Sequence, residues 1–169
     1  DHLTPLYKAW IGAARFCVLS TIGPAGTDGS PRGDLGPVVR IQDDKTLLLP
    51  DWPGNNRLDS LRNIVEDGRI SLMFMVPGSD TVVRVNGQAS LTTDPDLCAS
   101  FLDNKGGPVC VMVITVQEVY IQCAKSIKRA ALWQTRNAPL VPSLGQILNE
   151  ATDLEAGGAS SGGHSAHTS

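Results

Sequence analysis

The chain has 169 residues, of which 41% are hydrophobic and 18% charged, and a net charge of −3. That is one domain's length with enough apolar residues for a real core, and the mild negative charge argues against non-specific nucleic-acid binding. No apolar run approaches the roughly 18 residues of a membrane span, and Asp1-His2-Leu3-Thr4-Pro5 lacks the basic and apolar regions of a signal peptide.

In chain order, Thr4 as N-cap and Pro5 at the first helical position predict a short helix over 5–14, with Leu6, Ala9, Trp10 and Ala13 on one face. Residues 15–21 read as a buried strand and 23–29 as a glycine-rich turn. A second strand starts near Ser30, breaks around Gly33-Asp34-Leu35-Gly36-Pro37 and resumes over 38–41. Asp43-Asp44-Lys45 turns the chain into a strand over 46–49, and a loop of turn residues follows over 50–56. A helix is expected over 57–67, closed by Gly68 as a C-cap residue. Strands follow over 70–76 and 82–91, the second carrying a bulge at Gly87. Asp94-Pro95 opens a short helix, 109–123 is a long β-branched strand, and 126–133 is helical. Residues 142–148 read as a docking helix.

The sum is a mainly β protein with short helices: six antiparallel strands, mostly joined by hairpins, in a closed or split barrel that removes free edges. Residues 1–150 form the domain. From Ala156 the composition is Gly, Ser, Ala, Thr and His, which buries too little to order itself, so 151–169 is expected as a flexible tail.

The four cysteines, Cys17, Cys98, Cys110 and Cys123, form no CxxC, and three fall in strand-like runs. They read as reduced core thiols, so a cytoplasmic protein is expected. The three histidines are His2, His164 and His167, so none lies in the folded body. This removes Ser-His and Cys-His catalysis, the usual zinc sets and a histidine-ligated haem. No catalytic side chain and no metal ligand is expected, and any reactive group is borrowed from a cofactor. Asp43-Asp44 and Asp94/Asp96 sit in turn and cap contexts rather than as acid–base pairs.

Three segments suit an anion or a flat ligand. In Gly54-Asn55-Asn56-Arg57-Leu58-Asp59-Ser60 a loop opens a helix, where free N–H groups, the Arg57 fork and the Ser60 hydroxyl converge. The plainer reading makes Asn56 an N-cap and Arg57 a solvated charge. In Ser30-Pro31-Arg32-Gly33-Asp34 a glycine between Arg and Asp admits close approach to the backbone, or marks a surface turn. Lys125, Lys128 and Arg129 oppose a helix dipole, which an anion would relieve, or serve only solubility.

The first two segments, the first continued through Leu61-Arg62-Asn63-Ile64, with Thr46-Leu47-Leu48-Leu49-Pro50-Asp51, Arg84-Val85-Asn86-Gly87 and Cys123-Ala124-Lys125-Ser126, resemble the pyridoxamine-phosphate-oxidase-like FMN-binding proteins, in particular a bacterial subfamily of flavoproteins. The likeness covers residues 2–150. It implies a split barrel and a homodimer with FMN at the subunit interface. Carried over by position, Arg32 and Arg57 hold phosphate with Asn55, Asn56, Leu58 and Ser60 around it, Asp51 lies near the flavin or its ribityl chain, and Lys125 is a C-terminal contact. There are departures: Gly36-Pro37 interrupts the second strand where the oxidases carry a lysine, Thr81-Val82 replaces an Arg-Gln pair, and the C-terminal Trp and Arg-x-His substrate motif is missing. The resemblance therefore carries the flavin fold and not pyridoxamine phosphate as substrate. It implies an FMN-dependent oxidoreductase with a small-molecule substrate or electron donor. The alternatives are a non-catalytic flavin carrier or sensor, and a haem-handling split barrel, against which the histidine-free body argues.

Overall fold

The computed structural model describes residues 1–54, 58–102, 106–123, 125–134 and 141–160. They fall into two compact units, Asp1–Trp133 and Gln134–Ser169. The first unit contains all the strands: β1 (Phe16–Gly23), β2 (Gly26–Gly33), β3 (Arg40–Ile41), β4 (Thr46–Asp51), β5 (Arg69–Met75), β6 (Thr81–Thr92) and β7 (Cys110–Cys123). It also holds the helices α1 (Pro5–Ala13), α2 (Asp59–Glu66), α3 (Pro95–Ala99) and α4 (Lys125–Ala130). In the second unit α5 runs from Leu144 to Ser160, so residues 151–160 of the expected tail are helical. Good helix formers (Leu, Gln, Glu, Ala) fill its first half, and no Gly or Pro interrupts it between Gly145 and Gly157.

All strand pairs are antiparallel, in the order β2-β1-β5-β6-β7-β4-β3. The expected second strand is two elements on opposite edges of this sheet, giving seven strands rather than six. Gly33 ends β2, and Pro37, which has no N–H to give a ladder, lies in the crossing before β3. The crossing is pinned where Asp34 N–H reaches the Arg15 carbonyl at 3.0 Å and Val38 N–H reaches the Ala14 carbonyl at 2.9 Å. The glycine-rich turn is also shorter than expected. Only Pro24 and Ala25 lie between the strands, with Gly26 at φ 125°, and residues 26–29 already pair with β1.

The sheet wraps around one core. Leu19, Leu47, Leu49, Leu72, Phe74, Val83, Val85, Met112 and Ile114 are fully buried, and Ile11 of α1 is buried in the same cluster. The bulge expected at Gly87 falls between Asn86 and Gly87, where any Cβ would stand 2.2 Å from the Thr115 carbonyl oxygen. Gly68, at φ 79°, ends α2 as expected. Within the β-branched run over 109–116, Val111, Ile114 and Val116 are buried in the core, while Val109 is exposed. All four cysteines are free; Cys17 and Cys110 are buried, but Cys123, expected in a core strand, is exposed where β7 ends.

Candidate functional site

Register fixes which side chains face the barrel. Cys17, Leu19 and Thr21 of β1 are buried, and their direct partners on β2 are Arg32, Ser30 and Asp28. Paired residues share a face, so β2 turns three polar side chains inward. On β4 the inward residues are Leu47 and Leu49, and the next in phase is Asp51, opposite Cys110. β2 and β4 lie five places apart in the sheet order, yet Arg32 donates from its guanidinium to the Asp51 carboxylate. That ion pair marks where the sheet curls back on itself as a split barrel.

The pair is mostly shielded from solvent: the Arg32 side chain is 17% exposed and that of Asp51 16%. Arg32 Nε is buried with no hydrogen-bond partner. A cleft of about 240 Å³ opens beside the pair, lined by Ser30, Arg32, Leu49, Asp51, Trp52 and Gly54 among others. It shares Gly33, Asp34, Trp52 and Pro53 with a wider cleft of about 450 Å³ that also touches Leu35, Gly106 and Gly107. Two thiols flank the pair. Burial pushes the Cys17 thiol from 9.0 to about 12, against an opposing pull from Arg32. Burial likewise raises Cys110, helped by Asp51 and Cys98 and opposed by Arg32. Both stay protonated at neutral pH and are poor nucleophiles there.

Of the residues singled out from sequence, Arg32 and Asp51 come together in this cleft. Asn55, Asn56 and Arg57 lie outside the described residues. Leu58, not Asn56, holds the N-cap position of α2 and is 58% exposed, with no side-chain bond capping the helix. Ser60 does not line the cleft. It is 3% exposed and donates its hydroxyl to Asp28, so packing of α2 on β2 has turned it inward. Lys125 is exposed at the start of α4 and lines neither cleft. Asp94 accepts from Leu97 N–H at 2.8 Å and Asp43 from Lys45 N–H at 2.7 Å, the cap and turn roles expected of them.

Sequence reasoning missed Trp52. It belongs to the turn-rich loop after β4, and it lines both clefts. The available signal was a large aromatic between Asp51 and Pro53, where turn chemistry needs none. Among the described residues, no group of His, Cys, Asp and Glu is arranged to hold a metal ion. No described helix is long and apolar enough to cross a membrane.

A model of the family described as pyridoxamine 5'-phosphate oxidase matches residues 3–123. No curated protein matches the chain. Several solved structures share the fold. HupZ from Group A Streptococcus has 21% sequence identity and a TM-score of 0.57, over 72% of this chain and 94% of that one. General Stress Protein 26 from Bacillus anthracis has 16% identity and a TM-score of 0.52, over 68% of this chain and 88% of that one. An FMN-binding protein from Syntrophomonas wolfei also has 16% identity and a TM-score of 0.52, over 68% of this chain and 82% of that one.

Proposed function

The chain belongs to the pyridoxamine 5'-phosphate oxidase family, and from that premise we propose that the cleft between β2 and β4 binds FMN by its phosphate and that the protein is an FMN-dependent oxidoreductase. One observation carries the reading: Arg32 is held at the cleft by Asp51 with its Nε buried and unpartnered. An orphaned guanidinium N–H in a shielded cleft is costly, and a phosphate oxygen satisfies it with a charge-assisted bond. A fork of donors on a rigid strand suits phosphate better than an ammonium does. That the Syntrophomonas wolfei protein is an FMN-binding protein supports this choice of ligand.

In this reading Arg32 binds the phosphate and Asp51 orients Arg32 toward it. Arg57 and Asn56 complete the phosphate shell from the loop ahead of α2, with Asn55 and Leu58 beside them. The flavin, when bound, supplies the hydride chemistry at its ring. The chain contributes anchoring and orientation, since no histidine lies between residues 3 and 163. The protein acts as a homodimer in this reading. Leu58 and Val65, seven residues apart along α2, are 58% and 74% exposed, and Leu35 at the wider cleft is 82% exposed. Apolar groups that open beside a site suit a partner surface.

Titration of the folded protein with FMN, FAD and riboflavin tests the reading. FMN is expected to bind tightest and to develop flavin bands in the visible spectrum. Riboflavin binds more weakly for want of a phosphate, and FAD for want of a pyrophosphate cradle. A folded sample that leaves FMN free at micromolar concentration ends the proposal. Turnover with NADH or NADPH supports the oxidoreductase over a flavin carrier, and bound flavin without turnover supports the carrier. Light scattering should give the mass of a dimer, whose interface buries about 2,000 Å² or more in total.

A further inference from the structure

The wider cleft has an unusual lining. Trp52 lines it and also the smaller cleft beside Arg32. Its lining also includes Gly33, Gly106 and Gly107, none of which carries a side chain. A Cβ built on Gly106 would meet no atom within 4 Å, so the space beside that backbone is open. Its φ of 118° also strains any larger residue there. An aromatic residue and bare glycine backbone in one lining make a slot suited to the close approach of a flat ring. The slot's volume, about 450 Å³, falls within the range of small-molecule sites.

We infer that this slot takes a planar aromatic ring stacked on Trp52, and that the ring is the isoalloxazine of the same flavin whose phosphate Arg32 holds. The inference rests on the flavin reading above and assigns a new residue to it. The two clefts share Gly33, Asp34, Trp52 and Pro53, so a single ligand with an anionic end and a flat end spans them. Arg32 then selects for phosphate and Trp52 for the ring. The two contributions are separable because riboflavin keeps the ring and lacks the phosphate.

Flavin emission provides the test. An indole in van der Waals contact with the ring quenches flavin fluorescence by electron transfer, and a phenyl group does so far less. Bound FMN is expected to be strongly quenched in the wild type. Trp52→Phe should keep the FMN Kd within about threefold, since a phenyl ring still stacks, while the emission of bound FMN rises. Trp52→Ala should weaken FMN and riboflavin alike, by about 10-fold, which separates it from a phosphate contact. If bound FMN emits equally in the wild type and Trp52→Phe, the indole is not on the ring and the inference fails while the flavin reading stands. If riboflavin affinity is unchanged in Trp52→Ala, it fails likewise. If the folded wild type binds no FMN, the flavin reading itself fails and takes this inference with it.

Discussion

The two ends of β2 bury polar side chains in opposite ways. At one end Asp28 receives the Ser60 hydroxyl, and nearby on β1 Thr21 accepts from Asn63 Nδ2 at 3.0 Å. Thr21, Ser60 and Asn63 are all at least 93% buried, and each has its partner. Gly23 leaves room for them, since a Cβ there would stand 2.3 Å from Asn63 Oδ1. This end is a clasp that seats α2 on the β1–β2 hairpin. At the other end Arg32 pairs with Asp51, but its Nε has no partner and a cleft opens beside it. Buried polar groups are almost always satisfied, so the end with an unpartnered donor beside a cleft is the one that suits a ligand, and the satisfied end serves packing.

The largest effect expected from this contrast is at the open end. Arg32→Ala should weaken FMN binding by about 1.5–3 kcal/mol, the scale of a charged bond lost to phosphate, and leave riboflavin affinity unchanged. The loss should lie toward the upper figure because Asp51 would then face the phosphate without its counter-charge. Arg57→Ala should behave in the same way, and the double variant should be non-additive if both arginines hold one phosphate. Equal weakening of riboflavin would show that Arg32 supports the fold rather than the ligand.

The closed end should respond in the opposite sense. Asn63→Ala leaves the Thr21 hydroxyl buried without its donor, and should cost about 1–3 kcal/mol of unfolding free energy in urea titration. FMN affinity, measured where the variant is folded, should not move. A specific loss of FMN affinity in Asn63→Ala, with stability retained, would erase the distinction between the two ends. Ser60→Ala should be milder, at about 1 kcal/mol, because Asp28 is less buried and can turn to water.

Much of this molecule was legible in its sequence. The alternating and β-branched runs mark the strands, Gly68 and Asp94-Pro95 mark helix ends, and Gly87 marks the bulge. These signals are local, and local backbone chemistry decides them. The clasp and the ion pair are not local. Arg32 and Asp51 meet only because the sheet closes, bringing β2 against β4, and no spacing along the chain encodes that. Ser60 shows the same point in reverse. Its place at a helix start suggests a free hydroxyl, but the packing of α2 over Asp28 commits it inward. Trp52 does not stand out because an aromatic in a turn has no periodic partner; only the two clefts that it lines single it out.

The smallest effect concerns the thiol beneath the open end. Burial holds the Cys17 thiol at about 12, against 9.0 when exposed. Below pH 9.0 both folded and unfolded chains keep the proton, and its stabilising share is fully present. As pH rises through 9.0 the unfolded chain releases the proton first, so stability falls with pH until about 12. At pH 9.0 the loss is about 0.4 kcal/mol, and it then approaches about 1.4 kcal/mol per pH unit. Lysines and tyrosines titrate in the same window, so the informative quantity is the difference from Cys17→Ala. That variant loses packing at every pH, and the gap to wild type should narrow as pH rises from 7 to 10. A gap that stays constant would mean that the thiol ionises as easily in the fold as outside it. The Arg32 cation would then cancel the effect of burial, and the surroundings of the thiol would be wetter than the 0% exposure of Cys17 implies.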